Sequence, residues 1–121
     1  MKDYKKFVVW QKSHQLTLDV YRCTAEYPKE EMFGPVSQMR RSSSSVPTNI
    51  AEGCGRNSEK DFCRFLIISF GSANELEYQV MLSTDLRFVQ TKDSKALPSQ
   101  IVEVKKMLSS LIKKIELSAK R

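Results

Sequence analysis

Phe33, Val36, Met39, Ser43, Val46, Ile50 and Cys54 recur at spacings of three or four residues. The register runs straight through the serine tract 42–45 and past Pro47. Such spacing marks one face of an α-helix. A solvated linker has no reason to hold it, so the tract "RRSSSSVPTNIAEGCGR" is helix rather than a flexible connection. Pro47 is the obstacle. An interior proline leaves the carbonyl four residues earlier, that of Ser43, without its donor, at a cost of about 3 kcal/mol. The hydroxyls of Ser43, Ser44 and Ser45 are placed to satisfy freed backbone groups. The expectation is a second helix that is kinked or broken near Pro47, in the latter case with a serine capping the second piece.

Three further segments carry helical spacing. In the first, Val9, Leu16, Val20, Cys23 and Tyr27 form one stripe, and Phe7, Trp10, His14, Leu18, Tyr21 and Ala25 form a second beside it. One core contact needs an apolar arc of roughly 100°, so the wider arc predicts another packing surface, such as a second subunit. The third segment, about 59–89, is apolar nearly all round, from Phe62 to Phe88. It reads as a central helix, or one shared with other subunits, with Ser58 as N-cap and Gly71 marking a close backbone approach. The stretch "QTKDSKALPS" reads as a connection. Beyond it, Ile101, Val104, Leu108, Leu111 and Ile115 line an amphipathic helix. Helices at about 7–27, 33–54, 58–89 and 97–118 give an all-α chain, an antiparallel up-and-down four-helix bundle forming one domain over 1–121.

Several function classes fall away. Cys23, Cys54 and Cys63 are odd in number and form no C-x-x-C, so neither a zinc site nor a disulfide framework is signalled. They suit a reducing cytosol. The N-terminal stretch lacks the apolar core of a signal peptide, and the longest apolar run contains Arg64, so no membrane partner is expected. His14 is the only histidine, which rules out the Glu-x-x-His pairs of di-iron bundles. The "GCG" at 53–55 follows a helix and belongs to no phosphate-loop pattern. The expectation is a protein without metal, cofactor or catalytic residues.

The net charge is +6, and it is uneven: residues 91–121 hold eight basic and three acidic side chains, against three and five in 58–90. Lys106, Lys113 and Lys120 recur every seven residues, with Lys105, Lys114 and Arg121 beside them. These six are the candidate nucleic-acid contacts, which would give sequence-independent, salt-sensitive binding; the alternative is a solvated helix face. Arg40, Arg41 and Arg56 either contact phosphate or pair with Glu52, Glu75 or Glu77, within the bundle or across subunits. Asn49 and Glu52 read as partners for backbone groups near Pro47 and the 53–55 turn.

The combination "VWQKSHQLTLDVY", "SQMRRSSSSVPTNIAEGCGR" and "FLIISFGSANELEYQV" resembles the 23S rRNA-intervening-sequence proteins, over nearly the whole chain. The family form of the central motif is approximately Q-x-R-R-a-x-x-S-I-P-x-N-I-A-E-G-x-G-R. Gln38, Arg40, Arg41, Ser45, Pro47, Asn49, Ile50, Ala51, Glu52, Gly53, Gly55 and Arg56 match it. Val46 stands where isoleucine is usual, and Ser42 where a small apolar residue is common. The resemblance implies a bacterial, cytoplasmic four-helix bundle that assembles as a homopentamer and has no enzymatic activity. Some members are encoded within 23S rRNA genes, and a related branch binds nucleic acid as accessory protein to a retroelement reverse transcriptase. Two functions follow as expectations: binding of RNA or DNA, structured ribosomal RNA above all, or service as a protein–protein adaptor.

Overall fold

The computed structural model describes residues 2–119. It contains four long helices, α1 (Val8–Thr24), α2 (Ser37–Cys54), α3 (Glu59–Asp85) and α4 (Thr91–Ala119). Each packs against two neighbours: α1 on α2 and α4, α3 on α2 and α4. Paired residues run in opposite order along adjacent helices. Thr17 meets Ser43 and Tyr21 meets Arg40 between α1 and α2, while Ser42 meets Gln79 and Val46 meets Ser69 between α2 and α3.

The first stripe of α1 is the core stripe: Val9, Leu16, Val20 and Cys23 are buried, with Tyr27 just beyond the helix. They meet Met39, Val46 and Ile50 of α2, Leu66, Leu76 and Val80 of α3, and Ile101, Val104 and Leu108 of α4. The second stripe stays outside, with Leu18 50% and Tyr21 44% exposed.

The helix through the serine tract is continuous, so a break at Pro47 is excluded. The departure from helical geometry lies at Gly34 (φ −117°, ψ −107°), within a π-helical turn at Met32–Val36. Phe33 precedes it and is thrown out of register, 94% exposed rather than on the inner face. The carbonyl that Pro47 frees is met from another helix. Thr17 Oγ1 lies 2.9 Å from Ser43 O and 2.9 Å from Ser13 O, its single proton shared between them. The serine hydroxyls instead bond back one turn, Ser43 Oγ to Arg40 O at 3.1 Å and Ser44 Oγ to Arg41 O at 3.1 Å. Ser42 and Ser43 have no exposed surface, so the tract lets neighbouring helices come close.

Gly53 has a related role. A Cβ there would lie 2.9 Å from Phe65 Cβ and 3.0 Å from Phe62 Cδ1, so α2 and α3 approach through a position only glycine fits. Gly71, expected at a close approach, has open space around it within the chain.

Ser58 caps α3, its Oγ accepting from Asp61 N at 3.1 Å. The helix stops at Asp85, and Leu86 and Phe88 lie beyond it. Arg87 takes a left-handed conformation (φ 65°) that closes the turn. Of the expected connection 90–99, all but Gln90 belongs to α4, which opens about six residues earlier than expected, with Pro98 inside the helix. Asp93 is buried there and accepts from Arg22 Nη2 at 3.1 Å, tying the start of α4 to α1.

Candidate nucleic-acid interface and motif helix

Most charges of the central motif are committed to neighbouring groups. Arg41 forms an ion pair with Glu75 of α3 and donates to Gln38 Oε1 at 2.8 Å. Arg40 lies over the Tyr21 ring, 4.7 Å from its centroid, and donates from Nε to Thr24 Oγ1 at 2.9 Å. Glu52 and Arg56 pair at 2.7 Å one turn apart, and Arg56 also lies over Phe65. Asn49 Nδ2 donates to Ser45 O at 2.8 Å and lies 2.9 Å from Ser45 Oγ. Pro47 and Gly53 are buried, and Gly55 is the C-cap of α2. The motif therefore binds α2 to α1 and α3 through specific side-chain geometry.

The lysines of α4 divide. Lys105 departs from the expected patch: it leans toward α3, pairs with Glu77 at 3.0 Å, and lies over the Phe70 ring. Lys106, Lys113 and Lys114 are exposed and have no ion-pair partner among the described residues. Lys120 and Arg121 lie outside the described residues. Val102 and Leu117, 41% and 64% exposed, lie along the outward side of α4 with Lys106 and Lys113.

An open groove of about 500 Å³ runs along the seam of α1 and α2. Tyr4, Trp10 and His14 line it on one side, and Ser44, Pro47, Thr48, Ala51 and Glu52 on the other. Trp10 and His14 stack face to face, with centroids 5.1 Å apart and planes 7° apart, and Tyr4 meets Trp10 edge-on. Sequence reading placed Trp10 and His14 on a packing stripe. It missed the groove, because Pro47 and Thr48 join them only through tertiary contact.

The thiols offer no reactive group. Burial pushes Cys23 up to about 11, with Asp93 adding to the effect, and burial also raises Cys54 and Cys63. Tyr27 is pushed up to about 12 by burial. Among the described residues no group of three metal-ligating side chains converges, and no helix is long and apolar enough to cross a membrane.

No curated protein matches the chain significantly. Among solved structures, it is similar to a protein of unknown function from the S23 ribosomal protein family of Bacteroides thetaiotaomicron. The identity is 28%, the match covers 88% of this chain and 99% of that one, and the TM-score is 0.79. The family model described as "23S rRNA-intervening sequence protein" matches residues 5–110. With the motif of α2 and the four-helix fold in place, this match shows that the chain belongs to the 23S rRNA-intervening sequence protein family.

Proposed function

We propose that this protein is a non-enzymatic, oligomeric nucleic-acid-binding bundle whose basic contact is the outward side of α4. The observation that carries the reading is the contrast among its cations. Arg41, Arg56 and Lys105 are engaged with carboxylates, whereas Lys106, Lys113 and Lys114 project to solvent without one among the described residues. Unpaired lysines on a chain of net charge +6 suit phosphate, and structured RNA such as ribosomal RNA is the proposed ligand. A homopentamer, which the family resemblance implies, would repeat the face around a ring. The cell compartment proposed is the bacterial cytoplasm. Buried cysteines with raised thiols and a sole histidine stacked on Trp10 support a role without catalysis.

Fluorescence anisotropy against a structured ribosomal RNA fragment, at low and near-physiological salt, tests the reading. Tight binding with a steep salt slope is expected, each phosphate contact adding about 0.9 to the slope on a log–log plot. No binding at low salt would reject it.

A second reading rests on a different observation. Ile67, Tyr78, Met81 and Leu82 of α3, with Leu86, are between 39% and 56% exposed. That apolar side suits a protein partner, such as another subunit or a nucleic-acid enzyme that the bundle would serve as adaptor. Co-purification of a partner, with weak RNA binding alone, would favour it.

A further inference from the structure

We infer that the α1–α2 groove is a stacking site for an unpaired nucleobase, separate from the lysines of α4. The inference rests on the nucleic-acid reading above, and it adds recognition of single strands to binding of phosphate.

The geometry supplies three parts. The first is a flat platform. Trp10 and His14 lie parallel within 7°, and His14 is exposed while Trp10 is half-buried, so a further ring can extend the stack. Every base has a π-face, and aromatic platforms of this kind take bases with little sequence preference. The second part is a polar wall. Thr48 and Ser44 line the opposite side of the groove and offer hydroxyl oxygens to base edges, beside Glu52, whose Oε1 is held by Arg56. The third part is charge at both ends. Lys5 Nζ lies 5.8 Å from the centroid of Tyr4, which lines one end. Arg40 lies over Tyr21 beyond the other end of the groove; it donates to Thr24 Oγ1 and the Tyr21 carbonyl, but no carboxylate neutralises it among the described residues. Phosphates on either side of a seated base would pass these cations. The interior bases of a duplex stay paired and stacked, so only its two ends could reach the platform.

Trp10 is the only tryptophan, so its emission reports on this groove alone. The experiment titrates full-length protein with a short single-stranded oligoadenylate and, separately, with a blunt RNA duplex, following Trp10 emission and the anisotropy of labelled strands. Oligoadenylate is expected to quench Trp10 while the duplex binds without quenching. Trp10→Leu and His14→Ala should each weaken oligoadenylate binding roughly tenfold, the scale of a single base–aromatic stack, and leave duplex affinity unchanged. His14 is exposed, so its replacement keeps the test valid if Trp10→Leu fails to fold.

Binding of both strands without quenching, or unchanged affinity in His14→Ala, would overturn the stacking site and leave the basic-face reading intact. No binding of either strand would overturn both. Shielding of Trp10 from acrylamide in the free protein would mean that a second copy covers the groove, which also overturns the inference.

Discussion

Two helices of this bundle contain an interior proline and a set of cations, and they use both differently. In α2, Pro47 is buried and the carbonyl it frees is met by Thr17 of α1. The cations of α2 are likewise tied down, Arg41 to Glu75 and Arg56 to Glu52. In α4, Pro98 is half-buried in the polar opening turns, and most lysines point away from the core. The difference teaches that a basic residue in this chain carries information only once its partner is known. The arginine-rich motif that attracts the eye in the sequence is largely an internal fitting. The plainer lysine face is where charge is left without a carboxylate among the described residues.

The comparison breaks first at Gly53. Gly53→Val should destabilise the protein by about 3 kcal/mol in urea unfolding, because overpacking costs about 1–3 kcal/mol or more where the backbone cannot retreat. Gly53→Ala should cost less but keep the same sign, despite alanine's better helix propensity. A gain in stability would mean that α2 and α3 do not meet closely at this point.

Next comes the proline pairing. Thr17→Val strands the Ser43 carbonyl in a buried site, at an expected cost of about 1–3 kcal/mol. Pro47→Ala restores an N–H to that carbonyl, so Thr17→Val should cost much less in the Pro47→Ala background. Equal costs in both backgrounds, measured as a double-mutant cycle, would remove Thr17 as the substitute donor.

The lysines sharpen the contrast on the binding side. Converting Lys106, Lys113 and Lys114 together to glutamine should lower the salt slope of RNA binding by about 1 for each phosphate no longer neutralised, with helical content unchanged in circular dichroism. Lys105→Gln should leave the slope almost unmoved, since Lys105 is held by Glu77. Equal effects from Lys105 and Lys113 would show that ion pairing in the bundle does not sort these residues.

The smallest effect separates the two prolines. Pro98→Ala should stabilise by about 1 kcal/mol, through a restored backbone donor and better helix propensity. Pro47→Ala should instead reduce stability, because its buried ring packs in the α1–α2 seam. Thermal unfolding of the two variants, run side by side, decides this.

Much of the fold was legible because the core stripes obey local periodicity. Val9, Leu16, Val20 and Cys23 were placed together by spacing alone, and so were Val36 through Cys54. Phe33 broke the rule, because the chain leaves helical geometry at Gly34 and spacing cannot see a rotation of the backbone. The early start of α4 was hidden by the polarity of "QTKDSKALPS" and by Pro98. The one buried residue of the missed turns, Asp93, is polar and held by Arg22 of another helix, so apolar spacing gave no sign of it. Thr17 and the Trp10 groove were illegible for another reason: each depends on a partner on a separate helix, which no short window along the sequence contains. The same holds for Lys105, whose neighbour Glu77 sits on a different helix.

The buried thiols have a practical consequence. Cys23 and Cys54 are buried and Cys63 is 8% exposed at the edge of an α3–α4 groove, and burial raises all three thiols, so maleimides and iodoacetamides should modify the folded protein only slowly, Cys63 first. A single cysteine introduced on the outward side of α4 or at the rim of the groove would then be the one fast-reacting sulfur. Dyes, spin labels and photocrosslinkers can be attached there to the otherwise wild-type chain, and its interfaces mapped without first removing the native cysteines.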